Sequence, residues 1–353
     1  MKNPLNIPKY FPYIFRRRFK EKYIIIESDD WGLQQSIDEG GIEYLKRKYG
    51  KEKFTRWTTD ALETVDDISR LFEVLNEYKA DFEKPPIITA NFITHNIDYS
   101  NSRELLFKPM SEVLGNRSTE LSVLYREGIR DGLLFPQLHG YSHYNINKLK
   151  VFFNTIEGKE LFDCGFLAGE GTIKGKLYKF KGELIGSNNL VEEHFNYAVN
   201  EFISFFGIKP KTIIPPHFIL DLEILPLIKK NGIEGIQASN RLVDSRRKRL
   251  RKPFFRKTSN IIWIPRNARL DPYPGYNFYA NNCFNQIENA FKSKMPAIID
   301  FHRVNFAGNY NRKYRDKSLD ELQILLSKVK NNWPEVKFIT TADLIKLCQT
   351  TII

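Results

Sequence analysis

The 353-residue sequence predicts an α/β fold built on a parallel sheet or barrel, and three observations carry that expectation. Short, apolar, β-branched runs alternate along the chain with segments of helical periodicity. Several of those runs end in polar residues, at the carboxyl ends of strands where such folds build their sites. The composition, 42% apolar and 27% charged, is that of a chain able to bury a full core, not of a disordered segment or a membrane bundle.

Strands are expected at 23–26, 87–93, 133–138, 212–214, 261–264, 297–301 and 336–340, each a short apolar run closed by polar residues. The first helix is expected over 60–78, where Leu62, Val65, Ile68, Leu71, Phe72 and Leu75 share one face. A second spans 191–206, with Gly207 as its C-cap. Further helices follow at 222–231 and 319–330, the latter capped by Ser318 and stopped near Pro334. Two stretches break the rhythm. Residues 157–189, rich in Gly and Lys and alternating at Lys176-Leu177-Tyr178-Lys179-Phe180, read as a β-hairpin insertion. Residues 244–259 read as a basic connector. Both are taken as insertions into a single domain over 20–350, preceded by a basic and aromatic extension at 1–19.

Composition also excludes classes. No stretch approaches the roughly 18–20 apolar residues of a membrane-spanning helix. The aromatic run at 10–15 is broken by Pro12 and followed by Arg16-Arg17-Arg18, the reverse of a signal peptide. The expectation is a cytoplasmic protein, at the inner membrane surface if the basic N-terminus makes peripheral contact with anionic lipid. Cys164, Cys283 and Cys348 are dispersed and odd in number, which argues against a zinc ribbon or a disulfide framework. The net charge of +12, concentrated at 16–20 and 246–252, favours anionic partners. No nucleic-acid motif accompanies either cluster, so nucleic acid is not expected.

Three strand ends carry the chemistry. Asp29 and Asp30 follow the run at 23–26; two adjacent carboxylates repel unless a cation or donors stand nearby. They fit either a metal ligand beside a proton acceptor or an N-cap for the segment after Gly32. His139 and His143, spaced i, i+4, suit a metal such as Zn2+ with a carboxylate as third ligand, or a pair bonded to backbone at a helix start. His302 ends the run at 297–301 and is a candidate general acid, with Asp300 expected on the opposite face of the strand. His95 follows the run at 87–93 and is a candidate to face the site, whereas His194, on a helix, reads as structural.

The motif order resembles the polysaccharide deacetylase (NodB-homology) family, carbohydrate esterase family 4. Ser28-Asp29-Asp30-Trp31-Gly32 resembles its first motif and His139-Gly140-Tyr141-Ser142-His143 its second. The segment from Gly207 to Pro215-Pro216-His217 resembles the third, Ile298-Ile299-Asp300-Phe301-His302 the last, and Phe338 to Leu344 the closing strand and helix. The resemblance spans about residues 20 to 350. It implies a distorted (β/α) barrel with insertions. It also implies a metal-dependent N-deacetylase in which Asp30, His139 and His143 hold the metal, Asp29 is the base, and His302 protonates the leaving amine. A backbone N–H near His217 would serve the oxyanion.

The sequence departs from the pattern in places. Ile214 stands where the third motif usually carries the Arg that orients the base, and His217 where it has Tyr. Arg266, after another strand, is the candidate substitute for that Arg. Asp271 is the nearest candidate partner for the acid. Trp31, an additional residue before Gly32, would line the sugar site or pack in the core. Pro216 belongs with His217 to the third-motif wall. The implied cofactor is a divalent ion, Zn2+ first, with Co2+, Ni2+, Fe2+ or Mn2+ as alternatives. The implied partner is an N-acetylated sugar, nucleotide- or lipid-linked, of cell-surface polysaccharide metabolism. Two other readings stand beside it: a catalytically silent glycan-binding relative, and a hydrolase of a non-sugar amide on the same scaffold.

Overall fold

The computed structural model describes residues 18–350 except 51–59, 102, 115–118, 168, 240, 251–254 and 256. Most of the N-terminal extension and the end of the second basic cluster therefore lie outside the described residues. The strands in chain order are β1 (Tyr23–Trp31), β2 (Ile88–Ile93), β3 (His95–Ile97), β4 (Phe107–Pro109), β5 (Leu134–Gly140), β6 (Glu170–Ile173) and β7 (Lys176–Lys179). They continue as β8 (Thr212–Ile213), β9 (Gly235–Ala238), β10 (Lys257–Thr258), β11 (Ile261–Pro265), β12 (Ala268–Arg269), β13 (Ala297–His302) and β14 (Lys337–Phe338).

All nine residues of β1 are buried, as a central strand covered on both faces must be. It pairs in parallel with β2, β13 and β14, and the main sheet runs β10-β11-β9-β8-β5-β2-β1-β13-β12. Between β11, second in that path, and β12, at its far end, lie only Arg266 and Asn267. Arg266 N donates to Ala238 O of β9 at 2.8 Å, and Asn267 N donates to Ile298 O of β13 at 3.0 Å. One continuous stretch thus hands its hydrogen bonds from β9 to β13 and bridges the curled sheet. The result is a distorted (β/α) barrel whose strands, β10 apart, run parallel.

Register stacks the barrel interior in layers. Across β1 and β13, Ile25 faces Ile298, Glu27 faces Asp300, and Asp29 faces His302. The first pair belongs to an apolar floor with Ile264, Ile339, Leu344 and Ile345. The second opens a polar layer. The third reaches the carboxyl ends, where the site lies. Period-2 alternation delivers all three from one strand face.

The helices pack outside. Val65–Glu77 begins five residues later than the expected 60, because Thr64 and Asp67 form a capping box there and Asp60 is spent on Arg303. Its Ile68, Leu71, Phe72 and Leu75 are buried in the main core, and fully burying such side chains contributes about 1.5–3 kcal/mol each. The helix Asn189–Phe206 is capped by Asn188 and ends at Gly207, whose φ of 72° is the left-handed conformation glycine adopts without strain. The helix expected at 319–330 begins instead at Arg312 with Asn311 as cap, and Ser318 is interior, its hydroxyl donating to Tyr314 O at 2.9 Å. The 222–231 segment is a short 3₁₀ turn followed by Leu225–Lys230.

The insertion at 157–189 is only partly a hairpin. Residues up to Asp163 complete the helix Ile156–Asp163, and the hairpin is β6 with β7, turned at Lys174-Gly175. Strand β9 has no counterpart among the expected strands. Its four residues carry Gln237 in an otherwise apolar run, too short and too polar to stand out. No helix of the described residues is long and apolar enough to cross a membrane.

Candidate metal centre

Adjacent strand residues normally point to opposite faces, yet Asp29 and Asp30 both line one cavity. The register between β1 and β2 shifts between Ser28 and Trp31, and Asp30 has φ 70°. This bulge turns the second carboxylate inward after the first. A second register shift sits where Phe92 pairs with Leu138 but Ile93 with Gly140, leaving His139 as the extra residue. His143, at φ 75°, is also left-handed. Non-glycine residues held in this region cost free energy, and they recur where side chains must be aimed.

Those distortions bring three donors together. His139 Nε2 lies 3.2 Å and His143 Nε2 3.4 Å from Asp30 Oδ1. Ligands at about 2.0–2.1 Å from a tetrahedral Zn2+ are about 3.3 Å apart, so this spacing fits a divalent ion. His139 Nδ1 meets Ile214 O at 2.9 Å. With the proton on Nδ1, the bond leaves Nε2 as the metal-facing lone pair, the usual arrangement of a histidine ligand. Ile214, which takes the place of the motif's Arg, thus serves through its backbone. Burial pushes the His143 imidazole down to about 4, against the pull of Asp30, which favours the neutral form that ligates. Burial raises the Asp30 carboxyl, but the His139 hydrogen bond and the two imidazoles outweigh it and hold the group well below the usual carboxylate range.

A missed residue fixes the loop. Glu183, half-buried, accepts from Tyr141 N at 2.8 Å, Ser142 N at 2.9 Å and His143 N at 2.8 Å. Gly140 lies so close beneath it that a Cβ there would fall 2.1 Å from Glu183 Oε1, and its φ of 151° suits only glycine. Glu183 comes from the insertion some 40 positions later, with no motif around it to draw notice. Glu183→Ala is expected to lower metal affinity about 10- to 100-fold, since it leaves His143 without its support. Stability should fall by about 1–3 kcal/mol for each N–H left without a partner. A metal titration with a thermal melt measures both; unchanged affinity would show that the loop holds its shape unaided.

Beside the triad, Arg266 organises the carboxylates. Its Nη2 and Nη1 donate to Asp29 Oδ1 and Oδ2 at 2.6 and 2.7 Å, its Nε to Glu27 Oε2 at 2.6 Å, and Nη1 also to Asp300 Oδ1 at 2.6 Å. Asn91 Nδ2 adds a bond to Asp29 Oδ1 at 2.8 Å and is itself tied to Gln237. Burial raises the Asp29 carboxyl, but Arg266 outweighs it and keeps the group below its ordinary value. A second acidic-imidazole cluster, Asp29, Asp300 and His302, also has metal-like spacing. There the Arg266 guanidinium already stands between the two carboxylates, so a second cation would meet like charge.

The third carboxylate behaves differently. Burial pushes Glu27 up to about 8, with Arg266 offsetting only part. The folded chain therefore holds that proton more tightly than the unfolded chain, and native stability falls as pH rises from about 4.5 to about 8. The stability advantage of Glu27→Gln over the native chain should grow across that window and level off above it. Denaturant melts at pH 5, 7 and 9 check this; a difference independent of pH would contradict it.

His302 Nε2 lies 3.9 Å from Asp29 Oδ2 and its Nδ1 3.8 Å from Asp300 Oδ1. Residues 300 and 302 are two apart and share a strand face, which corrects the expectation that Asp300 points away. Asp271 holds Arg269, accepting from Nε at 3.0 Å and Nη2 at 2.5 Å. Trp31 is fully buried among Phe92, Tyr125 and Phe306, its Nε1 donating to Ser28 Oγ at 2.9 Å, so it packs the core and lines no sugar site. The chain leaves the Asp30 bulge with the next side chain turned outward. His95 does not line the cavity either. It stacks on Tyr141 at 4.1 Å, with His194 stacked at 4.5 Å on the same tyrosine. His217 does line it, with its ring 4.1 Å from that of His143, while Pro215, not Pro216, forms the adjacent wall.

The cavity measures about 920 Å³. Asp29, Asp30, His139, His143 and His302 sit at its base, and Glu170, Thr172, Lys179 and Lys181 of the hairpin region form one wall. Fold and site together define a barrel with a candidate mononuclear metal centre at the strands' carboxyl ends. No protein-family model and no curated protein matches the chain. Solved structures do show likeness. A 4-alpha-glucanotransferase from Thermococcus litoralis is 11% identical with a TM-score of 0.48, over 93% of this chain but 40% of that one. The peptidoglycan deacetylase PdaC from Bacillus subtilis is 9% identical with a TM-score of 0.43, over 94% and 93% of the two chains. A family 4 acetyl xylan esterase from Clostridium thermocellum, solved with a cobalt ion, is 10% identical with a TM-score of 0.40, over 92% and 91%. At such identities the chemistry has to be read from the residues of the site.

Proposed function

We propose that this protein is a metal-dependent deacetylase, of the polysaccharide deacetylase type, that hydrolyses the N-acetyl group of a sugar in cell-surface glycan metabolism. One observation carries the reading: a two-histidine, one-carboxylate set sits beside an arginine-held Asp29, with His302 across the same cavity. Asp30, His139 and His143 would hold the ion, Zn2+ in the first instance. A divalent ion bound there supplies Lewis-acid chemistry, activating water and polarising an acyl oxygen.

The chain's own residues do the rest. Asp29 stays ionised under Arg266 and takes the proton of the attacking water. Arg266 fixes which way that carboxylate points, the part the resemblance assigns to an Arg at position 214. The His217 backbone N–H donates to the oxyanion, since Phe218 N and Ile219 N are already spent on Pro215 O and Pro216 O. His302 delivers a proton to the departing amine, without which an amide nitrogen leaves poorly.

The test is acetate release from N-acetylated sugars by protein loaded with Zn2+ or Co2+. Chelation should abolish it and re-addition of metal restore it. Protein prepared without chelators that takes up no metal at all would sink the proposal.

A further inference from the structure

The cavity walls are rich in cations that the proposed chemistry does not use: Lys179, Lys181, Arg241, Arg247 and Arg269. The two lysines are answered locally by Glu170, at 3.9 and 3.1 Å. The arginine wall is not answered in the same way. Asp300 gives Oδ1 to Arg266 at 2.6 Å, while its Oδ2 is approached by Arg241 at 3.4 Å and by Arg269 at 3.7 Å. Three guanidiniums therefore converge on one carboxylate. Arg269 has Asp271 as well, and Arg266 has Asp29 and Glu27.

Among the described residues, the Arg241 side chain has only the long contact to Asp300 and a 3.4 Å bond from its Nε to Ser239 Oγ as polar partners. Its guanidinium lies 4.9 Å from the Phe218 ring, which also has Arg266 at 5.8 Å. That packing holds a half-exposed cation on the cavity wall near the acid. Arg247 stands on the same cavity from the turn at 244–248, exposed, and no hydrogen bond or ion pair of its side chain is found among the described residues. Burial, with Arg269 and Arg266 beside it, lowers the Arg241 guanidinium below its ordinary value, although Asp300 and Asp271 pull it the other way.

We propose that Arg241 and Arg247 form a clamp for an anionic group carried by the substrate, a phosphate or a carboxylate on the sugar. The proposal rests on the sugar-deacetylase reading for the identity of the ligand. The clamp itself rests on the cations. Arginine is suited to either anion because its planar fork donates two parallel N–H bonds to paired oxygens.

The experiment uses metal-loaded protein and calorimetry with three hexoses that lack the acetamido group and so cannot turn over: one neutral, one phosphorylated and one bearing a carboxylate. An anionic sugar is expected to bind at least tenfold more tightly than the neutral one, and the arm that shows the preference identifies the group. In Arg241→Gln/Arg247→Gln that preference should shrink tenfold or more and lose its dependence on salt. Equal affinity for charged and neutral sugars would overturn the clamp. So would a preference that persists in the double variant, because the metal alone would then hold the anion. Acetate release from the N-acetylated forms is followed separately. Anion preference without acetate removes the deacetylase reading alone, and acetate without anion preference removes the clamp alone.

Discussion

Replacing Arg266 by alanine is expected to lower stability by about 3–5 kcal/mol, the cost of breaking a buried ion pair from one side. Glu27, Asp29 and Asp300 would be left together, all three nearly or fully buried, with their central guanidinium gone. Glu27 would keep its proton to still higher pH, and Asp29 would no longer be held ionised. Arg266→Lys should recover part of the stability but not the activity. A single ammonium cannot reproduce the paired bonds at 2.6 and 2.7 Å on Asp29 together with those to Glu27 and Asp300. Denaturant midpoints for the two variants, with acetate release, measure the effect. An alanine variant as stable as the native chain would mean that water already penetrates this layer.

The second large effect separates two adjacent carboxylates. Asp30→Asn should lose the metal, because it replaces the anionic donor that both imidazoles face at 3.2 and 3.4 Å. Asp29→Asn should keep the metal, since none of that contact set involves residue 29. It should lose about 10²–10⁴ in turnover, the contribution of a positioned base. Metal content by atomic absorption, set beside turnover for each variant, gives the comparison. If both variants lost metal to the same degree, the division of labour between Asp29 and Asp30 would be wrong.

Much of this site can be read from the sequence, and the reasons are local. Short apolar runs mark β1, β5 and β13, and their polar ends carry Asp29, Asp30, His139 and His302 to one rim. Parallel strands leave their carboxyl ends on the same side, so short-range pattern suffices. Trp31 misleads because the bulge at Asp30 reverses the usual alternation, sending the indole into the core. Asp300 shares the face of His302 because it lies two residues before it, and Glu27 shares that of Asp29 by the same period.

The supporting groups are harder to read. Arg266 is 237 positions from Asp29, and they meet because the chain crosses there from β11, beside β9, to β12, beside β13. Asn91 and Gln237 are 146 positions apart and each sits inside an apolar run. A buried amide in the middle of a strand is itself a signal of a polar barrel interior, since such groups have to find partners. Glu183 offers no such signal, because its three donors are backbone N–H groups of a distant loop.

The central claim is that one divalent ion is held by Asp30, His139 and His143. Anomalous diffraction at the zinc or cobalt edge from crystals of metal-loaded protein tests it directly. The account predicts a single peak within about 2.0–2.3 Å of Asp30 Oδ1, His139 Nε2 and His143 Nε2. A peak among Asp29, Asp300 and His302 instead, with the Arg266 guanidinium displaced, would contradict it.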